Sequence, residues 1–224
     1  MLKAVLFDLD GTLLDTASDF TTVLNSMLAA RDLPLQNYEA VRQNVSNGAR
    51  AVIKLGFSQD ENTPGFAELL TEFLDRYADN LADHTTLFPG MAKVLEDLEC
   101  WGLKWGVVTN KPARFTLPLL ATLNLDKRCG PAICPDHVSR RKPDPEPLLL
   151  ACEQLDIEPE QAIYVGDHVR DIEAGRAAAM PTIACRYGYI SSDEDIASWQ
   201  ADYIVDQPAE LADIVAALLA NDIA

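Results

Sequence analysis

Two carboxylates, Asp8 and Asp10, stand two positions apart directly after the apolar run 4–7. The run predicts a short buried strand, and Gly11 and Thr12 predict a turn at its end. Burying two carboxylates is costly unless a cation or hydrogen bonds compensate for the lost water. The pair therefore indicates a reaction centre in which one carboxylate attacks and the other moves a proton. An acidic turn that merely ends a strand is the alternative.

Polar side chains also follow three later apolar runs. They are Thr109 and Asn110 after residues 106–108, Lys142 in the loop beyond residues 131–133, and Asp167 and Asp171 after residues 162–165. The carboxyl ends of parallel strands meet at one edge of a sheet, and ligands bind in the crevice there. We therefore expect these groups to share one site with Asp8 and Asp10.

Composition and length restrict the class of protein. A chain of 224 residues with 48% hydrophobic residues suits one large domain, or a domain with an insertion. No apolar stretch is long enough to cross a membrane, and no signal peptide precedes the first strand, so we predict a cytoplasmic protein. The cysteine number is odd and no C-x-x-C pair occurs, which predicts reduced core thiols at Cys100, Cys129, Cys134, Cys152 and Cys185.

The formal net charge of −17 argues against nucleic acid and anionic membranes as partners. Positive charge is nevertheless concentrated between Lys104 and Lys142, where eight Lys and Arg face two Asp, a local balance of +6. This segment lies between two of the predicted site loops and would suit an anionic substrate. A solvated helix face explains the same charges equally well.

Residues 16–87 contain no convincing strand. Apolar residues recur at helical spacing over 20–28 and 66–77, and the segment 41–55 predicts one or two shorter helices with Gly48 and Gly56 as breaks. We predict an all-helical cap domain over 16–87, inserted into a catalytic core made of residues 1–15 and 88–224.

Helices and strands alternate from residue 91 onward. The predicted helices are 91–101, 113–123, 146–155, 169–178 and 209–219, and the predicted strands are 104–109, 131–134, 162–166, 182–186 and 203–205. Such alternation requires right-handed crossovers between parallel strands. The fold class is therefore α/β, with a Rossmann-like parallel sheet covered by helices on both faces and an inserted helical cap.

Together these residues resemble the haloacid dehalogenase superfamily, in its phosphatase branch with a small helical cap. Segment 8–12 looks like the first motif of that family, 109–110 like the second, 142–143 like the third and 166–171 like the fourth. The resemblance covers essentially the whole chain. It implies a Mg²⁺-dependent phosphomonoester hydrolase that forms an aspartyl-phosphate intermediate.

The resemblance also implies roles for the carboxylates. Asp8 would attack the phosphorus, while Asp10 would protonate the leaving oxygen and then activate water. Mg²⁺ would be held by a carboxylate oxygen of Asp8, the backbone carbonyl of Asp10 and the side chain of Asp167. Asp171, outside these ligands, would orient either a water ligand of the ion or Lys142.

Three further residues are implied to bind the phosphate. The Thr109 hydroxyl and the Asn110 backbone N–H would hold phosphate oxygens, and Lys142 would neutralise the charge that develops during transfer. Each residue alone has an ordinary explanation, such as strand propensity for Thr109 or a surface position for Lys142. Their joint occurrence at successive strand ends favours the functional interpretation.

Other activities of the superfamily, and a protein without activity, fit less well. Asp10 argues against carbon–halogen cleavage, because a halide leaving group needs no proton. Sugar-phosphate mutases that resemble this chain carry a histidine at the cap entrance, where this chain has Phe20. A non-enzymatic metabolite-binding descendant would have lost Asp8, Asp10 or the aspartate at position 167, and all three are present.

Substrate choice is expected to belong to the cap. Segment 46–50 is predicted to lie between two cap helices, where Gly48 would let backbone approach a ligand and Arg50 would bind a carboxylate. A helix break beside a surface arginine is the alternative. We expect the partner to be a small phosphorylated metabolite, and no oligomeric state is predicted.

Longer segments resemble phosphoglycolate phosphatases and, more closely, bacterial N-acetylmuramic acid 6-phosphate phosphatases of peptidoglycan recycling. The segments that carry the closer likeness are 105–115, 133–138 and 186–190. Both substrates are acidic, which suits Arg50. Arg114 and Arg186 are secondary candidates for substrate or interface contacts, and no role is predicted for His168.

Overall fold

The computed structural model describes residues 1–191 and 193–221. The chain divides into two compact units, which we call the core unit and the helical unit. The core unit comprises Met1–Leu14 and Leu87–Ala224, and the helical unit comprises Asp15–Thr86. None of the described helices is long and apolar enough to cross a membrane.

The strands, in chain order, are β1 (Ala4–Phe7), β2 (Leu14–Asp15), β3 (Thr86–Leu87), β4 (Lys104–Val108), β5 (Ala132–Ile133), β6 (Ala162–Gly166), β7 (Thr182–Cys185) and β8 (Tyr203–Val205). The helices are α1 (Ala17–Ala29), α2 (Tyr38–Val45), α3 (Gly48–Phe57), α4 (Phe66–Asp79), α5 (Met91–Cys100), α6 (Ala113–Thr122), α7 (Glu146–Leu155), α8 (Val169–Ala177) and α9 (Ala209–Asn221). Short 3-10 helices cover Pro135–His137, Pro159–Gln161 and Ile196–Trp199.

Six strands of the core unit form one parallel sheet in the order β5-β4-β1-β6-β7-β8. The chain runs outward from β1 through β4 to β5, then crosses to β6 on the other side of β1. Phe7, at the end of β1, lies level with Val107 of β4 and Val165 of β6. The residues after these three strands therefore leave the sheet together beside its topological switch point, where open α/β sheets bind ligands.

Apolar residues cover both faces of the central strands, as buried parallel strands require. Ala4 and Leu6 pack with Leu148 of α7 and Ala174 of α8 on one face. Side chains alternate along a strand, so Val5 and Phe7, which are also buried, point to the opposite face. The predicted α/β class with helices flanking a parallel sheet is confirmed.

The helical unit has its own core, built around aromatic rings. The ring of Phe20 in α1 lies 5.6 Å from that of Phe73 and 4.6 Å from that of Tyr77, both in α4. The buried carboxylate of Asp19 accepts hydrogen bonds from the backbone N–H groups of residues 84 and 85 and from the Thr85 hydroxyl, at 2.8, 3.1 and 2.6 Å. These bonds fasten the end of the unit to its first helix.

Two sequence-based expectations are wrong in detail. Gly56 does not itself break the helix but is the penultimate residue of α3, which ends at Phe57. A Cβ at this position would lie 2.6 Å from the Cδ1 atom of Leu24. The glycine therefore permits close helix packing. Among the five cysteines, all free thiols, Cys100 is exposed and Cys129 only partly buried, so the core assignment holds for the other three.

Candidate active site

The Lys142 ammonium lies at the centre of the predicted site. Its Nζ is 2.7 Å from Asp8 Oδ1, 2.7 Å from Asp171 Oδ1 and 2.6 Å from the Tyr164 hydroxyl oxygen. The residue is only 3% exposed. An ammonium has three N–H donors, and these three partners account for all of them. Groups from the turn after β1, from β6, from α8 and from the loop after β5 are thereby joined at one nitrogen.

Tyr164 was not among the predicted site residues. Its hydroxyl donates to the Val108 carbonyl oxygen at 2.8 Å, at the end of β4, and accepts from Lys142. The signal that points to it is a tyrosine inside a fully buried strand, because a buried phenol needs a hydrogen-bond partner. The tyrosine connects the Lys142 ammonium to the central sheet.

Three buried carboxylates form one cluster beside Lys142. Oxygen atoms of Asp8, Asp167 and Asp171 lie within 4.8 Å of one another, close enough to hold one metal ion. The sequence placed Asp171 outside the ligands, whereas the structure groups it with the other two. The Asp10 side chain is not part of this group, and its predicted contribution to the metal is the backbone carbonyl.

Asp167 is enclosed by the loops that follow β1 and β7. It accepts hydrogen bonds from the Thr12 hydroxyl at 3.0 Å and from the Tyr189 N–H at 2.8 Å. A Cβ atom at Gly11 or Gly188 would lie 2.2 Å from an Asp167 side-chain atom. Gly11 also has a φ of +90°, a conformation that few other residues adopt. Both glycines are therefore required by the packing around this carboxylate.

Burial raises the pKa of two of these carboxyl groups. The pKa of Asp8 rises to about 6, chiefly through desolvation, with Lys142 opposing the rise. The pKa of Asp167 rises to about 8 because of desolvation and the neighbouring charges of Asp8 and Asp171. Two ammonium groups, those of Lys142 and of Lys111 beside Asp10, face four carboxylates in this region.

The cluster suits a divalent cation with a preference for oxygen. Carboxylate oxygens are the ligands that Mg²⁺ takes from proteins, and its two positive charges would balance the excess of four carboxylates over two ammonium groups. The residues present therefore fit the ion that the sequence implied.

The metal-free protein is expected to lose stability as the pH rises from about 6.5 to about 8.5. The raised pKa of Asp167, about 8, means that the folded state holds this proton more tightly than the unfolded chain, and that advantage disappears as the pH passes the folded pKa. The titration of His168 falls below this pH range, because burial and the charge of Arg170 lower its pKa from 6.5 to about 4. The test is the melting temperature in EDTA across this range.

Mg²⁺ is expected to stabilise the protein more at the alkaline end of that range, because the ion binds the deprotonated carboxylates. The increase in melting temperature on adding Mg²⁺ should grow with pH in the wild type and much less in Asp167→Asn. A melting temperature in EDTA that stays constant or rises with pH would contradict the assignment of this raised pKa.

The loop after β4 holds the second predicted motif. Thr109 is 4% exposed, and its hydroxyl oxygen accepts from the Lys111 N–H at 3.1 Å. The Asn110 side-chain amide donates to the Lys142 carbonyl oxygen at 3.0 Å, which ties this loop to the third motif. Within the described part of the chain, the buried Asn110 Oδ1 has no hydrogen-bond partner.

Lys111 also reaches the site, and sequence reasoning counted it only as one of several positive charges. Its Nζ lies 2.9 Å from Asp10 Oδ1. Eight Lys and Arg residues lie in the segment 104–142, and two of them pair with site carboxylates. Lys111 pairs with Asp10, and Lys142 pairs with Asp8 and Asp171. Arg128 pairs with Glu99 and Arg140 with Asp144, so part of the positive segment is ordinary surface pairing.

Gly48 and Arg50 belong to the helical unit. Both lie in the first turn of α3, so the expectation that Arg50 stands between two helices is wrong; only residues 46 and 47 separate α2 from α3. The guanidinium of Arg50 lies 3.1 Å from a carboxylate oxygen of Glu61, and the two side chains are 57% and 62% exposed. Such a pair breaks at little cost, so Arg50 is available to another carboxylate.

The side chains of the remaining candidates make other contacts, although the His168 backbone N–H donates to Asp171 Oδ2 at 3.1 Å. His168 caps the start of α8, accepts from the Arg170 N–H at 3.2 Å and stacks on Trp199. Arg114 lies over the ring of Phe115, and Arg186 pairs with Asp206 at 2.5 Å. These contacts explain the three residues as local structure.

The chain is similar to known proteins over most of its length. A family model described as haloacid dehalogenase-like hydrolase matches residues 5–185. An N-acetylmuramic acid 6-phosphate phosphatase of Pseudomonas putida is 50% identical over 214 residues, 96% of each chain. A phosphoglycolate phosphatase of Xanthomonas campestris pv. campestris is 44% identical over 93% of this chain and 94% of that protein. A crystal structure described as a predicted phosphoglycolate phosphatase of Haemophilus somnus covers 96% of this chain and 98% of its own, with a TM-score of 0.84 and 29% identity.

Proposed function

The chain belongs to the haloacid dehalogenase-like hydrolase family and is a phosphatase, and from that premise we propose that its substrate is N-acetylmuramic acid 6-phosphate. The observation that carries this proposal is 50% identity to a phosphatase of that name over 96% of both chains. The proposal includes dependence on Mg²⁺, an aspartyl-phosphate intermediate and a role in the cytoplasm in peptidoglycan recycling.

In the proposed reaction Asp8 attacks the phosphorus of the ester. A bond forms between its carboxylate oxygen and phosphorus while the bond from phosphorus to the sugar oxygen breaks, and Asp10 gives that oxygen a proton. Asp10 then takes a proton from the water that attacks the aspartyl-phosphate, which releases inorganic phosphate and restores Asp8. The 2.7 Å contact between Lys142 and Asp8 supports this assignment, because it fixes the direction of the attacking carboxylate.

Asp8 and Asp167, with the backbone carbonyl of Asp10, would hold Mg²⁺, and the position of Asp171 in the same cluster makes it a further candidate. When bound, the ion supplies positive charge that lets an anionic phosphate approach an anionic nucleophile. Thr109 and Asn110 would bind phosphate oxygens from the neighbouring strand end. Because the three donors of Lys142 are already engaged, it must release one partner before it can donate to the phosphate.

We assign the helical unit, Asp15–Thr86, the role of a specificity cap. Arg50 is its candidate for recognising a carboxylate, which N-acetylmuramic acid 6-phosphate carries in its lactyl group. The exposed partner Glu61 holds the guanidinium weakly enough for substrate to replace it.

The proposed function is tested by phosphate release from a panel of esters with Mg²⁺. The panel contains N-acetylmuramic acid 6-phosphate, N-acetylglucosamine 6-phosphate, which lacks the lactyl group, phosphoglycolate and simple sugar phosphates. We expect the highest kcat/KM for the muramic ester. A preference for phosphoglycolate would favour the activity named for the 44% identical relative. Absence of turnover would favour a sugar-phosphate mutase or a non-enzymatic binder.

Replacing Arg50 with alanine is expected to raise KM for N-acetylmuramic acid 6-phosphate by about tenfold, the effect of losing one hydrogen bond to a charged group. KM for N-acetylglucosamine 6-phosphate should change little, because that substrate lacks the carboxylate. Arg76→Ala is the matched control, since Arg76 lies in the same unit and pairs with Glu72. Equal changes in KM for both substrates would leave Arg50 a surface residue.

A further inference from the structure

A second ion pair lies beside the one that contains the proposed nucleophile. Lys111 Nζ is 2.9 Å from Asp10 Oδ1, and the two side chains are only 6% and 15% exposed. The pair joins residues 101 positions apart, connecting the turn after β1 to the turn after β4. Removing two charges from water is costly, so a pair this buried needs good geometry to persist.

The backbone of Lys111 is held on both sides. Its N–H donates to the Thr109 hydroxyl oxygen, and its carbonyl oxygen accepts from the Thr116 hydroxyl of α6 at 3.2 Å. The start of this lysine side chain is therefore fixed relative to β4 and α6. A side chain fixed at its base and bonded at its tip restricts the rotation of the carboxyl group that it contacts.

Asp10 is the acid and base of the proposed function, on which this inference rests. We propose that Lys111 is a positioning residue for Asp10. Its ammonium sets the rotation of the carboxyl group, so that the oxygen exchanging the proton meets the leaving oxygen of the ester. Proton transfer depends steeply on such alignment, and a displacement of about 1 Å lowers a rate by roughly 100-fold.

The test compares two esters that differ in their need for a proton. When a sugar 6-phosphate transfers its phosphoryl group to Asp8, the sugar departs as an alkoxide and needs the proton, whereas p-nitrophenyl phosphate releases p-nitrophenolate, which is stable without one. The ratio kcat/KM reports the steps up to release of the first product. In Lys111→Met we expect kcat/KM to fall by about 10- to 100-fold for the sugar ester and by less than about threefold for the aryl ester.

Lys111→Arg, which keeps the charge and the donors, should recover most of the activity toward the sugar ester. The double variant Asp10→Asn with Lys111→Met should match Asp10→Asn alone within about twofold, because a positioning residue has no effect without the group that it positions. Melting temperatures of all four variants confirm that each is folded, and the double variant removes both buried charges together.

Equal losses for both esters in Lys111→Met would overturn the inference, because they would place the ammonium on the phosphate or in a general structural role. A further loss when Lys111→Met is added to Asp10→Asn would overturn it as well. Both results leave the proposed function standing if Asp10→Asn itself loses activity selectively toward the sugar ester. Failure of the wild-type protein to hydrolyse any phosphate ester would overturn the proposed function and this inference together.

Discussion

Replacement of Asp8 by asparagine is expected to abolish steady-state phosphate release, lowering kcat by at least about 10⁴-fold, because the amide oxygen is a poor nucleophile toward phosphorus. The fold should survive the change. Burial raises the pKa of Asp8 to about 6, so an ionised carboxylate is disfavoured at this position and a neutral amide of the same shape relieves that penalty. The metal-free variant should therefore melt no lower than the wild type.

The measurement pairs turnover with detection of the intermediate. Acid quenching during turnover should trap a phosphorylated peptide containing residue 8 in the wild type and none in Asp8→Asn. Asp126→Asn, a change at an exposed aspartate of the core unit, is the matched control and should retain full activity. Retention of more than about 1% of wild-type kcat in Asp8→Asn would refute the assignment of the nucleophile.

Replacement of Lys142 by methionine is expected to destabilise the metal-free protein by about 3–5 kcal/mol, the usual effect of leaving a buried charge without its partner. The ammonium lies between Asp8 and Asp171, so its removal leaves these two carboxylates facing each other. The penalty should shrink as the pH falls below about 6, because burial raises the pKa of Asp8 to about 6 and this carboxylate then takes up a proton. Mg²⁺ should recover part of the loss, since it restores positive charge among the same oxygens.

Urea unfolding in EDTA and in Mg²⁺ measures both effects. The control is Lys127→Met, which removes an exposed lysine and should change the free energy of unfolding by no more than about 0.5 kcal/mol. A loss below about 1 kcal/mol in Lys142→Met would contradict the view that this ammonium holds the carboxylates together.

Much of the core unit was predictable because its strands are short apolar runs with polar residues directly after them. The bounds of β1, β6 and β8 agree with the prediction, as do those of α7. The predicted strands 104–109 and 182–186, which correspond to β4 and β7, each extend one residue too far, to Thr109 and Arg186. The N–H of each still donates to a neighbouring strand, to the Ile133 and Val205 carbonyls. Apolar pattern alone does not separate such residues from the strand proper.

Contacts between distant strand ends were harder to predict. Motif positions indicated that Asp8, Lys142 and Asp171 would share an edge of the sheet, but nothing local indicates that one ammonium bonds to both carboxylates. Lys111 and Tyr164 were missed for the same reason, since their partners lie 101 and 22 residues away. Gly56 was misread because a glycine that permits close packing and a glycine that ends a helix look alike in sequence.

The Lys142 ammonium also has a consequence for the order in which the protein is assembled. Its partners Asp8, Tyr164 and Asp171 lie 134, 22 and 29 positions away in the chain, on both sides of the lysine. During synthesis the proposed nucleophile is therefore made first, its counterion Lys142 follows 134 positions later, and the partners of that ammonium are complete only at position 171. Until then a nascent chain carries the attacking group without the surroundings that orient it. The contacts that orient Asp8 can therefore form together only after most of the chain has been made.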